Sequence, residues 1–411
     1  MPADVHPGPE PDPALDGLRR AAAALRPELV ALRRELHRHP EIGLDLPRTQ
    51  ARILAALDGL PLEITLGERL TSVTAVLRGA RPGPAVLLRA DLDALPVQED
   101  TGLPHASAVP GAMHACGHDL HAAALVGAAR LLAGCRELLC GSVVFMFQPG
   151  EEGDGGAGLM IEEGVLDAAG ERVVAAYALH VAAALLPAGQ VAGRPGPIMA
   201  AADRLRVAVV GRGGHGSSPH LALDPVPAAC EAVLALQSMV TRRFDAFDPV
   251  VLTVGSFHAG TVDNVIPDRA EFAATVRSFS PAAREAVLEQ AVRVVRGIGE
   301  AHGCRVDAAV EPGYPVTVND PGEAAYAALT ARRLIGAERY LELPRPLAGS
   351  EDFGLLAAHV PAAYLVFGAC PPGADPAAAP YNHSAQARFD DAVLGDAAAL
   401  LAALALGRTG G

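Results

Sequence analysis

The sequence predicts an α/β protein: one larger unit with a smaller α+β unit inserted into it. Two observations carry this. From about residue 70, and again beyond 313, short apolar runs bounded by Gly and Pro alternate with stretches of helical periodicity. Between them, over 198–312, the predicted elements follow the order β-α-β-β-α-β, which is that of a split βαβ or ferredoxin-like sandwich.

Taken in order, the first 14 residues are Pro-rich and acidic, without the basic end and apolar stretch of a signal peptide, and read as a disordered tail. Leu18, Ala22, Leu25, Leu29, Leu32 and Leu36 recur at helical spacing over 15–38. PEIGLDLPRTQARILAALDGL is a turn and a second helix. SVTAVLRG, AVLLRAD, SVVFMFQPGEEG and VVAAYALHV are apolar runs of the kind found in buried strands, and HDLHAAALVGAARLLAG is a helix ending at Gly134. In the insertion, RLRVAVVG, VVLTVGSFHAG, AEFAATVRSFS and CRVDAAVEP are strands. DPVPAACEAVLALQSMVTRR, with Pro in its first turn, and PAAREAVLEQAVRVVRGIGEAHG are helices. Beyond 313 come a helix at 321–335, a loop carrying AGSEDFG, the strand AAYLVFGA and a final helix at 390–406. The expected division is a tail (1–14), the larger domain in two parts (15–197 and 313–411) and the insertion (198–312).

Composition removes several functions. The chain has 411 residues, 33 Lys+Arg and 47 Asp+Glu, for a net charge of −14, and every basic residue is Arg. Without Lys there is no Schiff-base lysine and no phosphate loop of the Walker type. An acidic balance argues against a nucleic-acid partner, whose backbone is bound by clustered positive charge. The longest apolar stretch, 173–186, is too short for a membrane helix and contains His180. Six scattered cysteines without a C-x-x-C pair suit a reducing compartment, so the cytoplasm is expected.

Three features point to metal chemistry. MHACGHDLH (113–121) holds His114, Cys116, His118, Asp119 and His121, five potential ligands in nine residues. Thiolate and imidazole suit zinc, and imidazole with carboxylate also suits manganese, cobalt or nickel. QPGEEGDGG (148–156) sets Glu151 and Glu152 at the end of an apolar strand, where α/β folds place their sites. If neighbours there point opposite ways, one carboxylate can hold metal while the other faces the attacking water. His180 in AAYALHV and His383 in PYNHS, at strand or loop ends, complete an N, S and O donor set sufficient for two metals. GRGGHG (211–216) fits G-x-G-x-x-G, but SSPH follows it and helix signals wait until about 225, which excludes a dinucleotide loop. There is no G-x-S-x-G, so nothing marks a serine hydrolase.

LHRHPEIG, LLRADLDALP, MHACGHDLHAAAL, FQPGEEGDGGA, YALHV, GRGGHGSSPH, DNVIPDRAEFAATVRSF, GSEDF and NHS occur in that order between about 30 and 405. Together they resemble the aminoacylase-like amidohydrolases of metallopeptidase family twenty, in particular the branch of hippurate hydrolase and the plant auxin-conjugate hydrolases. The resemblance implies a zinc-peptidase-like catalytic domain with an inserted lid that forms a homodimer. It implies two divalent metal ions, Mn²⁺, Zn²⁺, Co²⁺ or Ni²⁺, on Cys116, His118, Glu152, His180 and His383, with Glu151 as general base. By the same resemblance His215 reaches the partner subunit's active site and stabilises the oxyanion, and Asn264 and Arg277 contact the substrate and its carboxylate. Asp91 and Asp93 fall where more distant relatives carry a ligand His and its supporting Asp, and read here as supporting residues. The implied substrates are N-acyl or N-aroyl amino acids. The alternatives are a dipeptidase, a deacetylase of the N-acetyl-diaminopimelate type, or a non-catalytic metal-binding protein on the same fold.

Overall fold

The computed structural model describes residues 12–410. The chain divides into two compact units: one takes in the chain up to Gly196, Val318–Pro344 and Leu355 onward, the other Pro197–Thr317 and Arg345–Gly354. Helix α1 (Pro13–Arg38) starts where the Asp12 side chain accepts the N–H groups of Ala14 and Leu15, with Pro13 at a position that has no hydrogen bond to lose. Leu18, Ala22, Leu29 and Leu36 form its buried stripe, as the periodicity predicts. The expected tail is overtaken by this helix from Pro13, and its first eleven residues lie outside those described. After α1 come α2 (Pro47–Leu57), β1 (Leu62–Leu66), β2 (Val73–Arg78), β3 (Arg81–Asp91) and α3 (His118–Gly134). The run continues with β4 (Cys140–Gln148), α4 (Gly156–Glu162), β5 (Ala175–Pro187) and β6 (Val191–Gly193), and β7 (Gly196–Met199) leads out of it.

The second unit contains β8 (Ala201–Val210), β9 (Gly214–His215), α5 (Pro225–Arg243), β10 (Val250–Ala259), β11 (Val265–Ile266), β12 (Arg269–Ser278), α6 (Pro281–Ala301) and β13 (Arg305–Glu311). Its four long strands pair antiparallel in the order β10-β12-β8-β13, the arrangement expected of the β-α-β-β-α-β sequence. One face is buried: Leu205, Val207, Phe272, Ala274 and Val276 pack with Ala228, Ala232 and Leu236 of α5 and Val287, Ala291 and Val295 of α6. The short strands β9 and β11 form a separate ribbon.

The chain returns to the first unit through β14 (Thr317–Asn319), followed by α7 (Pro321–Ile335), β15 (Tyr340–Glu342), α8 (Phe353–Ala357), β16 (Ala362–Cys370) and α9 (Leu394–Arg408). Its sheet has eight strands in the order β1-β2-β4-β3-β5-β16-β6-β15. β3 runs parallel to β4 and β5, and β5 parallel to β16, so these four strands end on one edge. β4 and β16 are buried along their whole length, which is why they read as unbroken apolar runs. β1 is a solvated edge strand, and LEITL gave no such signal. Alanine accounts for much of the apolar half of the chain because α3 and α9 are buried around most of their circumference. At Gly127 a Cβ would stand 2.7 Å from Ala398 Cβ and 2.7 Å from Leu29 Cδ1, so α3 meets both α9 and α1 at backbone distance there.

Candidate metal centre

At the ends of the parallel strands, donor side chains from four chain segments converge, on the edge where α/β sheets hold their sites. Cys116 lies in the loop before α3 and His118 is the helix's first residue. Gly117 between them has φ +84°, and a Cβ there would overlap Val181 Cγ2. Only glycine serves on both counts, and it lets Cys116 and His118 face one point.

Glu151 and Glu152 follow β4. Asp93, just past β3, accepts the Glu151 N–H on one carboxylate oxygen and the Glu152 N–H on the other, both at 3.0 Å. The two acids therefore do not diverge as strand neighbours would. They belong to a turn whose N–H groups share one anchor, and both gather with His118, the three donor atoms within 4.8 Å of one another.

His180 lies on β5. Its Nδ1–H donates to the Val181 carbonyl at 2.9 Å, so Nε2 keeps its lone pair, 3.3 Å from Cys116 Sγ. Burial, helped by the neighbouring His121, pushes this imidazole well down, which keeps it neutral and able to ligate. His383 stands in the loop after β16, with Nε2 3.2 Å from Glu152 Oε1.

Cys116, His118 and His180 bring one donor atom each within 4.8 Å of the others, and so do Cys116, Glu152 and His383. Both ring nitrogens of His118 are buried without a hydrogen bond. Leaving such atoms unpaired costs about 1–3 kcal/mol each, and here they converge on a thiol, imidazoles and carboxylates, the donor chemistry of zinc and its neighbours. The residues fit divalent cations. The electrostatics agree. Burial alone would push His118 down, but Asp91, Asp93 and Cys116 outweigh it and hold it well above its ordinary range. Hydrogen bonds to Cys116 and Glu152 push His383 up to about 10.

Of the five candidates in MHACGHDLH, Cys116 and His118 join the centre in this way. His121 Nδ1 meets Asp91 Oδ1 at 2.5 Å and its Nε2 accepts the Val181 N–H at 2.8 Å, so both nitrogens are engaged although Asp91, His118 and His121 lie close together. Asp119 turns instead to Arg33 and His37, each at 2.8 Å. His114 is buried with neither ring nitrogen bonded. Asp93 holds the glutamate turn, and Asp91 meets His121 and, at 2.7 Å, Arg89.

The remaining candidates belong to the second unit. His215 pairs with Val265 in the β9–β11 ribbon, and Gly216 N–H donates to the Asn264 carbonyl at 2.9 Å, so His215 and Asn264 are neighbours. Ser217 gives His215 Nδ1 both its hydroxyl, at 2.8 Å, and its N–H, at 3.1 Å. Arg277 lies on β12, and its Nη1 is buried without a hydrogen bond. Burial pulls the guanidinium down from its usual value, and Asp203 opposes this.

The chain is similar to several known proteins. Residues 87–407 match the family described as Peptidase family M20/M25/M40. The chain is 39% identical over 349 residues to an N-acetylcysteine deacetylase of Bacillus subtilis, covering 85% of this chain and 90% of that one. It is 37% identical over 358 residues to the IAA-amino acid hydrolase ILR1-like 4 of Arabidopsis thaliana, covering 86% and 80%. Among solved structures, a dinuclear metal-binding peptidase of the M20 family from Bacillus subtilis superposes with a TM-score of 0.81 at 34% identity, covering 94% of this chain and 99% of that one. No helix among the described residues is long and apolar enough to cross a membrane.

Proposed function

The chain belongs to peptidase family M20/M25/M40, and from that premise we propose that it is a metal-dependent amidohydrolase acting on N-acyl or N-aroyl amino acids. The observation that supports this most is the meeting of Cys116, His118, Glu152, His180 and His383 beside Glu151, on a turn fixed by Asp93. Two divalent cations held by those five residues, of manganese, zinc, cobalt or nickel, would when bound polarise the amide carbonyl and acidify a water.

The chain's own groups do the rest. Glu151, buried and held by its backbone, takes the proton of the attacking water and returns it to the leaving amine. His215, with Nδ1 occupied by Ser217, carries its proton on Nε2 and hydrogen-bonds through it to the oxyanion as the carbonyl becomes tetrahedral. Arg277, a cation with an unbonded Nη1, holds the free carboxylate of the amino acid, while Asn264 positions the substrate beside His215. Residues 198–312 form the lid of a homodimer in the cytoplasm, and His215 of one copy serves the other.

The test is turnover of a panel of N-acetyl, N-benzoyl and indole-acetyl amino acids and free dipeptides by wild type and Glu151→Gln. Glu151→Gln retains its metal and loses several orders of magnitude in kcat; near-wild-type turnover would remove Glu151 as the base. Metal-loaded wild type inert on every amide would favour a binding protein, and cleavage of free dipeptides alone a dipeptidase. Mixed with a His215→Asn variant, Glu151→Gln regains part of its activity through hybrid dimers, and no recovery under subunit exchange would end the trans assignment.

A further inference from the structure

Asn382 ties ligand-bearing segments together without offering a ligand. Its Oδ1 accepts the Ala183 N–H at 2.9 Å, and its Nδ2 donates to the carbonyls of Val181, at 2.9 Å, and Cys116, at 3.1 Å. An N–H can only donate and a carbonyl can only accept, so these partners dictate which end of the amide is oxygen. One bond reaches the loop of Cys116 and His118, and two reach the strand that carries His180. The next residue in the chain is His383. Its N–H donates to the Ala115 carbonyl at 2.9 Å, and its backbone is left-handed, with φ +72°. A non-glycine residue there is held against a cost of about 1–2 kcal/mol, and such strain persists only where the surroundings over-determine it. The contacts of 382 and 383 with 115–116 and 181–183 supply that determination. Val181 is gripped from the other side as well, its N–H donating to His121 Nε2 at 2.8 Å.

We propose that Asn382 is a positioning residue of the metal centre: it sets the spacing of Cys116, His180 and His383 before any cation arrives. This rests on reading those residues as ligands. The geometry makes the claim specific, because the amide has a use for both its N–H bonds and its oxygen. Asn382→Asp keeps the shape and sets an oxygen against two carbonyl oxygens. Asn382→Ser is shorter and has one O–H to donate, so it cannot serve both carbonyls.

The experiment measures Zn²⁺ affinity by competition with a chromophoric chelator and records the Co²⁺ absorption spectrum of each loaded protein. Melting of the metal-free proteins is recorded alongside. Both variants are expected to bind Zn²⁺ about 10- to 100-fold more weakly, the scale of supporting contacts to ligands. The cobalt spectrum should shift, and the metal-free melting temperature should change little. Wild-type affinity and spectrum in both variants would overturn the proposal. So would a loss of affinity seen only where metal-free melting also falls, since that marks a fold defect; if Asn382→Asp does not fold, Asn382→Ser decides by the same criteria. A wild-type protein that takes up neither ion would overturn the reading of the centre itself, a different result from wild-type binding matched by both variants.

Discussion

Neutral histidine has one N–H, and at His215 Ser217 decides where it sits. The Ser217 N–H, 3.1 Å from Nδ1, can only donate, so Nδ1 accepts and the proton lies on Nε2. The hydroxyl at 2.8 Å reinforces this arrangement. Ser217→Ala removes the shorter contact and leaves the backbone one. One hydrogen bond is worth about 1 kcal/mol net, so kcat should fall roughly fivefold, with KM and metal content little changed. Steady-state kinetics on an N-acetyl amino acid checks this, and an unchanged kcat would show that the backbone contact suffices. Such details explain what the sequence could and could not disclose. Cys116, His118 and the Glu151–Glu152 pair stand in dense local patterns, and His180 and His383 stand out as polar residues at strand and loop ends. Asn382 leaves no local mark: its partner Cys116 is 266 residues away, and its shortest contacts are to backbone atoms, which every residue has. Asp93 lies 58 residues from the turn it anchors, again through N–H groups.

Elements were legible where burial is uniform or strictly alternating. The buried strands β4 and β16 show as apolar runs, and β12 alternates along its length. The three-residue strands β6 and β15 escape because they are too short to show a pattern, and β1 because it is solvated. Helix α3 shows what composition hides. Its chemistry is set at its first residue, but its position is set by close approach to α1 and α9 at Gly127. Alanine there would gain about 1 kcal/mol in helix propensity, offset by a Cβ already 2.7 Å from two neighbours. Gly127→Val adds two methyl groups to the same gap and gains less in propensity, so overpacking wins. A loss of about 1–3 kcal/mol is expected, read as a lower denaturant midpoint for the transition that reports α3. An unchanged midpoint would mean that α1 and α9 separate at no cost.

At the scale of the whole molecule, two effects of acid compete. With a net charge of −14 at pH 7 and a pI near 5.4, acidification towards the pI relieves self-repulsion and by itself would stabilise the fold. The buried cluster around Arg33 opposes this. Arg33 Nη1 donates to His105 Nε2 at 2.7 Å, and burial together with Arg33 pushes His105 down from 6.5 to about 4. Its unfolded value is the higher one, so between pH 6.5 and 4 the unfolded chain binds the proton first. The stabilisation is therefore complete above 6.5 and lost as pH falls to 4, amounting to about 3 kcal/mol at most. Glu99 extends the loss. Burial would raise it, but hydrogen bonds from His37, Ser107 and Thr101 hold it at about 2, so its contribution is present above 4.5 and fades from there down to 2. For His37, burial works against a rise, but Asp119 and Glu99 outweigh it and the imidazole is raised. Its stabilisation is complete below 6.5 and fades only as pH rises through the raised value, outside the acid window. The specific, short-range term should outweigh diffuse repulsion that salt screens. Urea midpoints should therefore fall steadily from pH 6.5 to 4, passing through the pI without a maximum. His105→Gln keeps an acceptor for Arg33 and cannot titrate, so it should reduce that slope, leaving the part carried by His114, which burial also pushes down from 6.5 to about 4, and keeping the loss below 4.5 that Glu99 causes. A wild-type midpoint that rises towards pH 5.4, or an identical slope in His105→Gln, would give the decisive part to overall charge instead.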